Sequence, residues 1–444
     1  MKQSKYNFFY ELDNGQFLIY NALKNGLAVV DKEMVNKIKS VNSETDVNNL
    51  FGRELLDDLQ KGGFIIDDDF DEYGLLKIRR HMQQYFSQTL AFTIAPTINC
   101  NLACKYCFEN PDKAIMDESV EDAIIKFAEG EIKAGKKAIS VTWYGGEPLL
   151  CMKVIERLSG KFIKLCKENN VLYNASVITN GTLYKKDVAE KLKELQVQHV
   201  QITLDGHKEM HDNRRPYRGV KKSSFEVIIK NLEDTVGILP VALRINVDRE
   251  NAERVVEFVK ELRSNDWFDD KFIKPYFGYV RKYTSSCRCH EDECLLPGEF
   301  WQRSFELQQF LVKEGMTEPE YPNISSGCGA TSIHSYVVGP KGELYKCWNH
   351  VGEKEQIVGY IDKPIELNSL YVKYLNESFE QDEECKECKY LPICMGGCVD
   401  VLIKTKNGEM AYKDCTKWKE YLAKQLKFYY QYRLNKQNQV SCTV

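Results

Sequence analysis

The stretch Pro96-Thr97-Ile98-Asn99-Cys100-Asn101-Leu102-Ala103-Cys104-Lys105-Tyr106-Cys107 puts three cysteines within eight residues, spaced C-x3-C-x2-C, after a strand-like run over 90–98. Three thiolates on one loop suit an iron–sulfur cube that keeps one iron free of protein ligand. A structural zinc site wants four ligands, and no fourth Cys or His stands nearby. Further strand-like runs follow at 139–144, 174–179, 198–204, 241–247 and 273–280. Helical stretches at 117–134, 152–169, 185–195, 224–236 and 252–264 separate them. Six strands alternating with helices predict an α/β fold with a parallel sheet, closed or partly closed into a barrel. Chemistry in such folds gathers at the C-terminal strand ends, where the cysteine loop falls.

Residues 1–88 have a pattern of their own. Short strand-like runs at 6–12, 17–22 and 27–30 are separated by Asp13-Asn14-Gly15 and Lys24-Asn25-Gly26. Helical stretches at 32–40 and 50–61 come next; Gly62-Gly63 stops the second, and Phe64-Ile65-Ile66 is a further strand candidate. This order predicts a small winged-helix-like module. An acidic run from Asp67 to Glu72 leads into a linking helix up to about Tyr85. The expected organisation is thus 1–88 as that module, 89–285 as the barrel and 286–444 as a cysteine-rich region. Of 16 cysteines in 444 residues, 11 lie between Cys287 and Cys442. A chain this long builds its own core, so clustered cysteines without a secretion signal point to metal ligands rather than disulfides.

Composition narrows the partners. Lys plus Arg is 61 and Asp plus Glu is 65, a net charge of −4, which offers no electrostatic footprint for nucleic acid or an anionic membrane. No apolar run reaches the roughly 18 residues of a membrane helix. The N-terminus lacks a signal peptide's apolar core, and Cys442 stands third from the end where a prenylation box needs it fourth. A cytoplasmic protein is expected.

The cysteine triplet, with the motifs at the following strand ends, resembles the radical SAM superfamily and its partial (β/α)6 TIM-like barrel. Gly145-Gly146-Glu147-Pro148 ends the second strand and is similar to the family's GGE motif, which implies contact with the methionine amine of S-adenosylmethionine. Thr179-Asn180-Gly181 ends the third strand. Thr203-Leu204-Asp205-Gly206 ends the fourth and runs into His211-Asp212-Asn213-Arg214-Arg215, a pattern similar to anaerobic sulfatase-maturing enzymes and peptide maturases. The resemblance implies a [4Fe-4S] cluster on Cys100, Cys104 and Cys107. It implies cofactor contacts by Tyr106, Gly145, Gly146, Glu147, Thr203 and Arg215. An arginine suits this task, since it clamps a carboxylate in bidentate fashion. His207 and His211 stand i,i+4, but without a third ligand they are expected to be structural or substrate-facing.

Downstream, Cys328 precedes Gly342-x4-Cys347, then Cys385-x2-Cys388-x5-Cys394-x3-Cys398, then Cys415. The layout resembles the SPASM extension of radical SAM enzymes, implying two auxiliary [4Fe-4S] clusters. Cys385, Cys388, Cys394 and Cys415 would ligate one; Cys328, Cys347 and Cys398 would hold the other. A zinc ribbon is the alternative for residues 385–398. The segment Cys287-Arg288-Cys289-His290-Glu291-Asp292-Glu293-Cys294 is open to three uses: a fourth ligand, a zinc loop or a lid. Cys151 and Cys166 are expected to be ordinary buried cysteines.

The implied reaction begins with an external one-electron reductant. The cofactor carries the chemistry, so no side chain is assigned a catalytic role. In sulfatase-maturing enzymes an Asp after the Gly-x4-Cys cysteine resembles the base; here the position is Trp348. The favoured reading is therefore maturation of a ribosomally synthesised precursor peptide by a thioether or carbon–carbon crosslink, the thioether favoured; residues 1–88 resemble the leader-recognition module of such systems. A sulfatase-maturing enzyme and a non-enzymatic iron–sulfur electron carrier are the alternatives; the carrier has no use for the Gly146, Thr203 and Arg215 constellation.

Overall fold

The computed structural model describes residues 1–109, 111–281, 293–324, 327–409 and 415–441. They form two compact units: Met1–Phe86 with Glu318–Cys328 and Asn376–Val444, and Ser87–Thr317 with Gly329–Leu375. The expected segment 286–444 is thus divided between the two. Cys287, Cys289 and His290 lie outside the described residues.

The first unit begins with β1 (Lys2–Gln3), β2 (Asn7–Glu11), β3 (Phe17–Asn21) and β4 (Gly26–Val30). It continues through α1 (Lys32–Ser40), α2 (Val47–Phe51), α3 (Arg53–Lys61), β5 (Ile65–Ile66) and α4 (Glu72–Phe86). Strands β2, β3 and β4 form an antiparallel sheet in that order, and β1 pairs with β5. The helical stretch expected over 50–61 is two helices, because Gly52 at φ +73° ends α2 and opens α3. Only glycine takes that backbone without strain.

Alternation along β3 sends its two faces to different cores. Ile19 packs with Val35, Ile38, Leu56 and Leu59 from α1 and α3. Leu18 and Tyr20 pack with Phe379, Leu391, Ile393, Leu422 and Leu426. Residues far along the chain therefore cover the second face of the N-terminal sheet.

The second unit carries β6 (Thr89–Ile94), α5 (Glu118–Lys133), β7 (Ala138–Trp143), α6 (Met152–Glu168), β8 (Leu172–Thr179), α7 (Lys186–Glu194), β9 (Val197–Thr203) and α8 (Lys208–Arg214). Then come α9 (Ser224–Thr235), β10 (Val241–Val247), α10 (Val255–Arg263), β11 (Ile273–Tyr279) and α11 (Pro297–Lys313). It closes with β12 (Ser335–Val338), β13 (Glu343–Tyr345), β14 (Gly359–Tyr360) and α12 (Ser369–Asn376). Strands β6 to β11 are parallel neighbours in sequence order, as the alternating pattern predicts. Strand β12 adds to β6 in parallel, and β13 and β14 extend the sheet antiparallel, giving nine strands among the described residues, with β11 and β14 at the ends. The sheet is mixed, and its extension falls where the strand–helix rhythm is lost from the sequence. Its core runs from Leu90 and Phe92 through Ile139, Val141, Val200, Leu243 and Ile245. Cys151 and Cys166 are buried in it as expected.

Residues α13 (Glu383–Glu387), α14 (Leu391–Cys394), α15 (Val399–Lys406) and α16 (Thr416–Ser441) return to the first unit. No helix among the described residues is long and apolar enough to cross a membrane.

Candidate functional site

The loop after β6 is stitched on both sides by backbone hydrogen bonds. Towards β7, Gly146 N donates to Thr97 O at 3.3 Å and Glu147 N to Asn99 O at 2.9 Å. Towards α8, Ala103 N donates to Pro216 O at 2.8 Å and Lys105 N to Arg214 O at 2.9 Å. The approach to β7 demands glycine: a Cβ on Gly146 would stand 2.4 Å from Asn99 O, and one on Gly145, at φ +110°, 2.2 Å from Thr97 O. Cys100, Cys104 and Cys107 thereby come to one wall of a cavity of about 370 Å³, a size suited to a small-molecule cofactor. Two nitrogens approach the Cys100 sulfur: Leu102 N at 3.4 Å and Asn180 Nδ2 at 3.6 Å. Burial pushes the Cys100 and Cys107 thiols up to about 12, and neighbouring carboxylates of Glu147 and Glu109 add to it.

Tyr106, Gly145, Gly146, Thr203 and Arg215 line the same cavity. Glu147 does not. Its carboxylate is fully buried behind the wall and accepts from Thr179 Oγ1 at 2.7 Å, Asn180 N at 2.7 Å and Leu149 N at 3.1 Å. It ties the end of β7 to the end of β8.

Tyr106 is a hub. Its hydroxyl donates to Asp205 and receives Arg215 Nη1 at 2.6 Å and Asn246 Nδ2 at 3.0 Å. Burial alone would raise the Asp205 carboxyl, but Arg214 and Arg215 overcome it and hold it below the usual carboxylate range. The two arginines have different tasks. Arg214 is buried and bound to Asp248 Oδ2 at 2.5 Å and Asn246 O at 3.2 Å. Arg215 makes no ion pair among the described residues, and its buried Nε lacks a hydrogen-bond partner. An unpaired donor on a cation at a cavity wall points to an anionic ligand.

Trp348 also lines the cavity, half-exposed and stacked on Tyr144 with ring centroids 6.0 Å apart. The Tyr144 hydroxyl bonds Glu109, whose carboxyl burial raises to about 7. His207 and His211 do not meet: His207 Nε2 contacts Glu261 at 2.8 Å, while buried His211 Nδ1 accepts from Asp205 N at 3.1 Å. Among the described residues no three His, Cys, Asp or Glu side chains gather as a single-ion site. Cys347 belongs to the unit of the nine-stranded sheet; Cys328, Cys385, Cys388, Cys394, Cys398 and Cys415 belong to the other. Between Cys394 and Cys398 the chain turns sharply, with Met395, Gly396 and Gly397 all at positive φ.

Gln201, Arg244 and Asn246 line the cavity without belonging to any local motif. For Arg244 and Asn246 the signal is a polar residue at alternate positions of the otherwise apolar strand β10; Gln201, on the more polar β9, has none.

Residues 94–262 match the sequence profile of the Radical SAM superfamily. The chain carries a radical SAM domain. It spans strands β7 to β10 in full and begins on the last residue of β6, so the cysteine loop lies at its start. The radical SAM cyclopropyl synthase TigE of Paramaledivibacter caminithermalis is 24% identical over 93% of this chain and 92% of its own. A cysteine-type anaerobic sulfatase-maturating enzyme of Clostridium perfringens is 28% identical over 70% of this chain and 88% of its own. Streptococcus suis SuiB, solved bound to precursor peptide SuiA, shares the fold with a TM-score of 0.53 and 16% identity, covering 91% of this chain and 96% of SuiB. The matched residues are therefore embedded in a chain whose relatives include a cyclopropyl synthase and a sulfatase-maturating enzyme.

Proposed function

We propose that this protein is a radical S-adenosylmethionine enzyme that modifies a ribosomally synthesised peptide, forming a thioether between a cysteine sulfur and a carbon. One observation carries the reading: the three cysteines, the Gly145–Gly146 cradle and Arg215, whose buried Nε lacks a hydrogen-bond partner, line one cavity. These residues fit a [4Fe-4S] cluster with S-adenosylmethionine beside it. When bound, the pair supplies a one-electron reductive cleavage that yields methionine and a 5′-deoxyadenosyl radical.

The chain's own residues hold and shield that chemistry. Cys100, Cys104 and Cys107 would ligate three irons. Gly145 and Gly146 leave backbone open to the cofactor, and Arg215 clamps its carboxylate. Asp205 and Asn246 hold Tyr106, which in turn fixes Arg215. Tyr144 and Trp348 give the cavity a stacked aromatic surface. A formylglycine-forming reaction is disfavoured because the residue after Cys347 is a stacked tryptophan, which accepts no proton.

The auxiliary clusters rest on the resemblance to the SPASM extension, which implies one on Cys385, Cys388, Cys394 and Cys415 and another drawing on Cys328, Cys347 and Cys398. Leader recognition by residues 1–88 draws support from the sheet there: β2 and β4 each have one edge without a strand partner among the described residues, a template for an added peptide strand.

The test is anaerobic. Protein reconstituted with iron and sulfide and reduced with dithionite is expected to convert S-adenosylmethionine to 5′-deoxyadenosine. The peptide encoded by a short neighbouring reading frame should lose two hydrogens per crosslink. Changing Cys100, Cys104 and Cys107 together to Ala should remove about four irons per chain and all 5′-deoxyadenosine. Nucleoside formation that survives this triple change would refute the assignment.

A further inference from the structure

Among the described residues four arginines line the cavity, Arg215, Arg218, Arg244 and Arg281, against one acid, Glu109. Arg218 spends its guanidinium on the cysteine loop, donating to Cys100 O and Leu102 O at 3.3 Å each. Arg281 lies over the Tyr279 ring, 5.2 Å from its centroid. Arg244 is different. It sits on β10 two residues before Asn246, on the same side of the strand, and its Nε donates to Asn246 Oδ1 at 2.7 Å. Its guanidinium also bonds the Tyr276 hydroxyl, which donates to Gln201 Oε1 at 2.6 Å. Strand β11 makes room for it: a Cβ on Gly278 would stand 2.4 Å from Arg244 Nε and 2.8 Å from Cζ.

The guanidinium is thus held in place by neutral groups, with no carboxylate at ion-pair distance among the described residues. A half-buried cation fixed in this way has lost part of its hydration without gaining a counter-charge. Its planar fork of donors matches a carboxylate in bidentate geometry. We propose that Arg244, positioned by Asn246 and Tyr276, is a carboxylate-binding position of this cavity. The carboxylate comes from an Asp or Glu side chain of the peptide substrate or, shared with Arg215, from the methionyl end of S-adenosylmethionine. The inference rests on the radical SAM reading of the cavity and assigns a contact that no local motif marks.

Binding to the unreduced, cluster-reconstituted enzyme tests it independently of turnover. The probes are the N-acetyl methylamides of Asp and Glu against those of Asn and Gln, measured by ligand-observed NMR with S-adenosylmethionine present. Affinity for S-adenosylmethionine is measured separately. If the peptide supplies the carboxylate, at least one acidic probe binds roughly tenfold or more tighter than its amide. That preference is lost in Arg244→Gln and in Gly278→Ala, which displaces the guanidinium without removing it, and is partly kept in Arg244→Lys. If the cofactor supplies it, S-adenosylmethionine binds roughly tenfold weaker to Arg244→Gln and the acidic probes show no preference. A preference for acids that survives Arg244→Gln overturns the inference. So does a wild-type protein with no preference together with an Arg244→Gln variant of unchanged S-adenosylmethionine affinity. Thermal melts of each variant separate lost binding from lost fold. A wild-type protein that shows the preference yet forms no 5′-deoxyadenosine on reduction would refute the enzymatic reading alone.

Discussion

Replacing Gly146 by alanine tests whether the cysteine loop is held where the cavity needs it. The new Cβ would lie 2.4 Å from Asn99 O, 2.5 Å from Ile98 O and 2.7 Å from Asn99 C. An ordinary contact is about 3.5 Å, so the loop must retreat by about 1 Å. All three atoms are backbone, and none can swing aside as a side chain would. Retreat also stretches the Glu147 N to Asn99 O bond, 2.9 Å in the native structure. Overpacking of this kind costs about 1–3 kcal/mol and a weakened hydrogen bond about 1 more, together about 2–4 kcal/mol. For a unit of this size that lowers the melting temperature by roughly 3–7 °C. Misplacing cluster ligands by about 1 Å is expected to cut 5′-deoxyadenosine formation by about a hundredfold. The assay is a thermal melt of cofactor-free protein, then iron content and nucleoside yield after reconstitution. Gly130→Ala is the control, since a Cβ there meets nothing within 4 Å and the site is inside α5. It should stabilise slightly. A Gly146→Ala protein with native melting temperature, iron content and rate would refute the close approach on which the cavity depends.

Two further outcomes are expected. In Glu147→Gln an amide N–H₂ faces either the Asn180 N–H or the donors Thr179 and Leu149, so cofactor-free protein should lose about 2–4 kcal/mol by denaturant midpoint. An unchanged midpoint would mean that the carboxylate acts on ligand and not on the fold. Burial, with Arg215 beside it, lowers His211 to about 3 in the folded protein, while an unfolded histidine titrates near 6.5. Between those values the unfolded chain binds the extra proton, so this stability is present above about pH 6.5 and is lost as pH falls. The slope is about 1.4 kcal/mol per pH unit, or about 2 kcal/mol from pH 6.5 to 5. His211→Leu should flatten the pH dependence of the urea midpoint by one proton; an identical slope would show that His211 is charged in the fold.

The parallel strands were legible because each sends apolar residues at alternate positions into the core and alternates with an amphipathic helix, a pattern written over neighbouring residues. Strand β10 coincides with its expected range, 241–247. Strand β12 was not legible: four residues long, it finds its partner β6 over two hundred residues earlier in the chain. The break at Gly52 was missed for another reason. One glycine inside a helical pattern is tolerated more often than it interrupts.

Local spacing by itself determined the cysteine triplet, the glycine pair and their place at the strand ends, because a chelating loop and a tight turn are built from adjacent residues. Tertiary structure alone decided what surrounds them. It set Glu147 behind the cavity wall, separated Arg214 in its acidic nest from Arg215 at the wall, and brought Gln201, Arg244 and Asn246 to the cavity from two strands. It also laid Phe379, Leu391 and Leu422 on the sheet of residues 7–30. These contacts join residues tens to hundreds of positions apart, and the pairing of strands and burial of faces that create them exist only once the chain has folded.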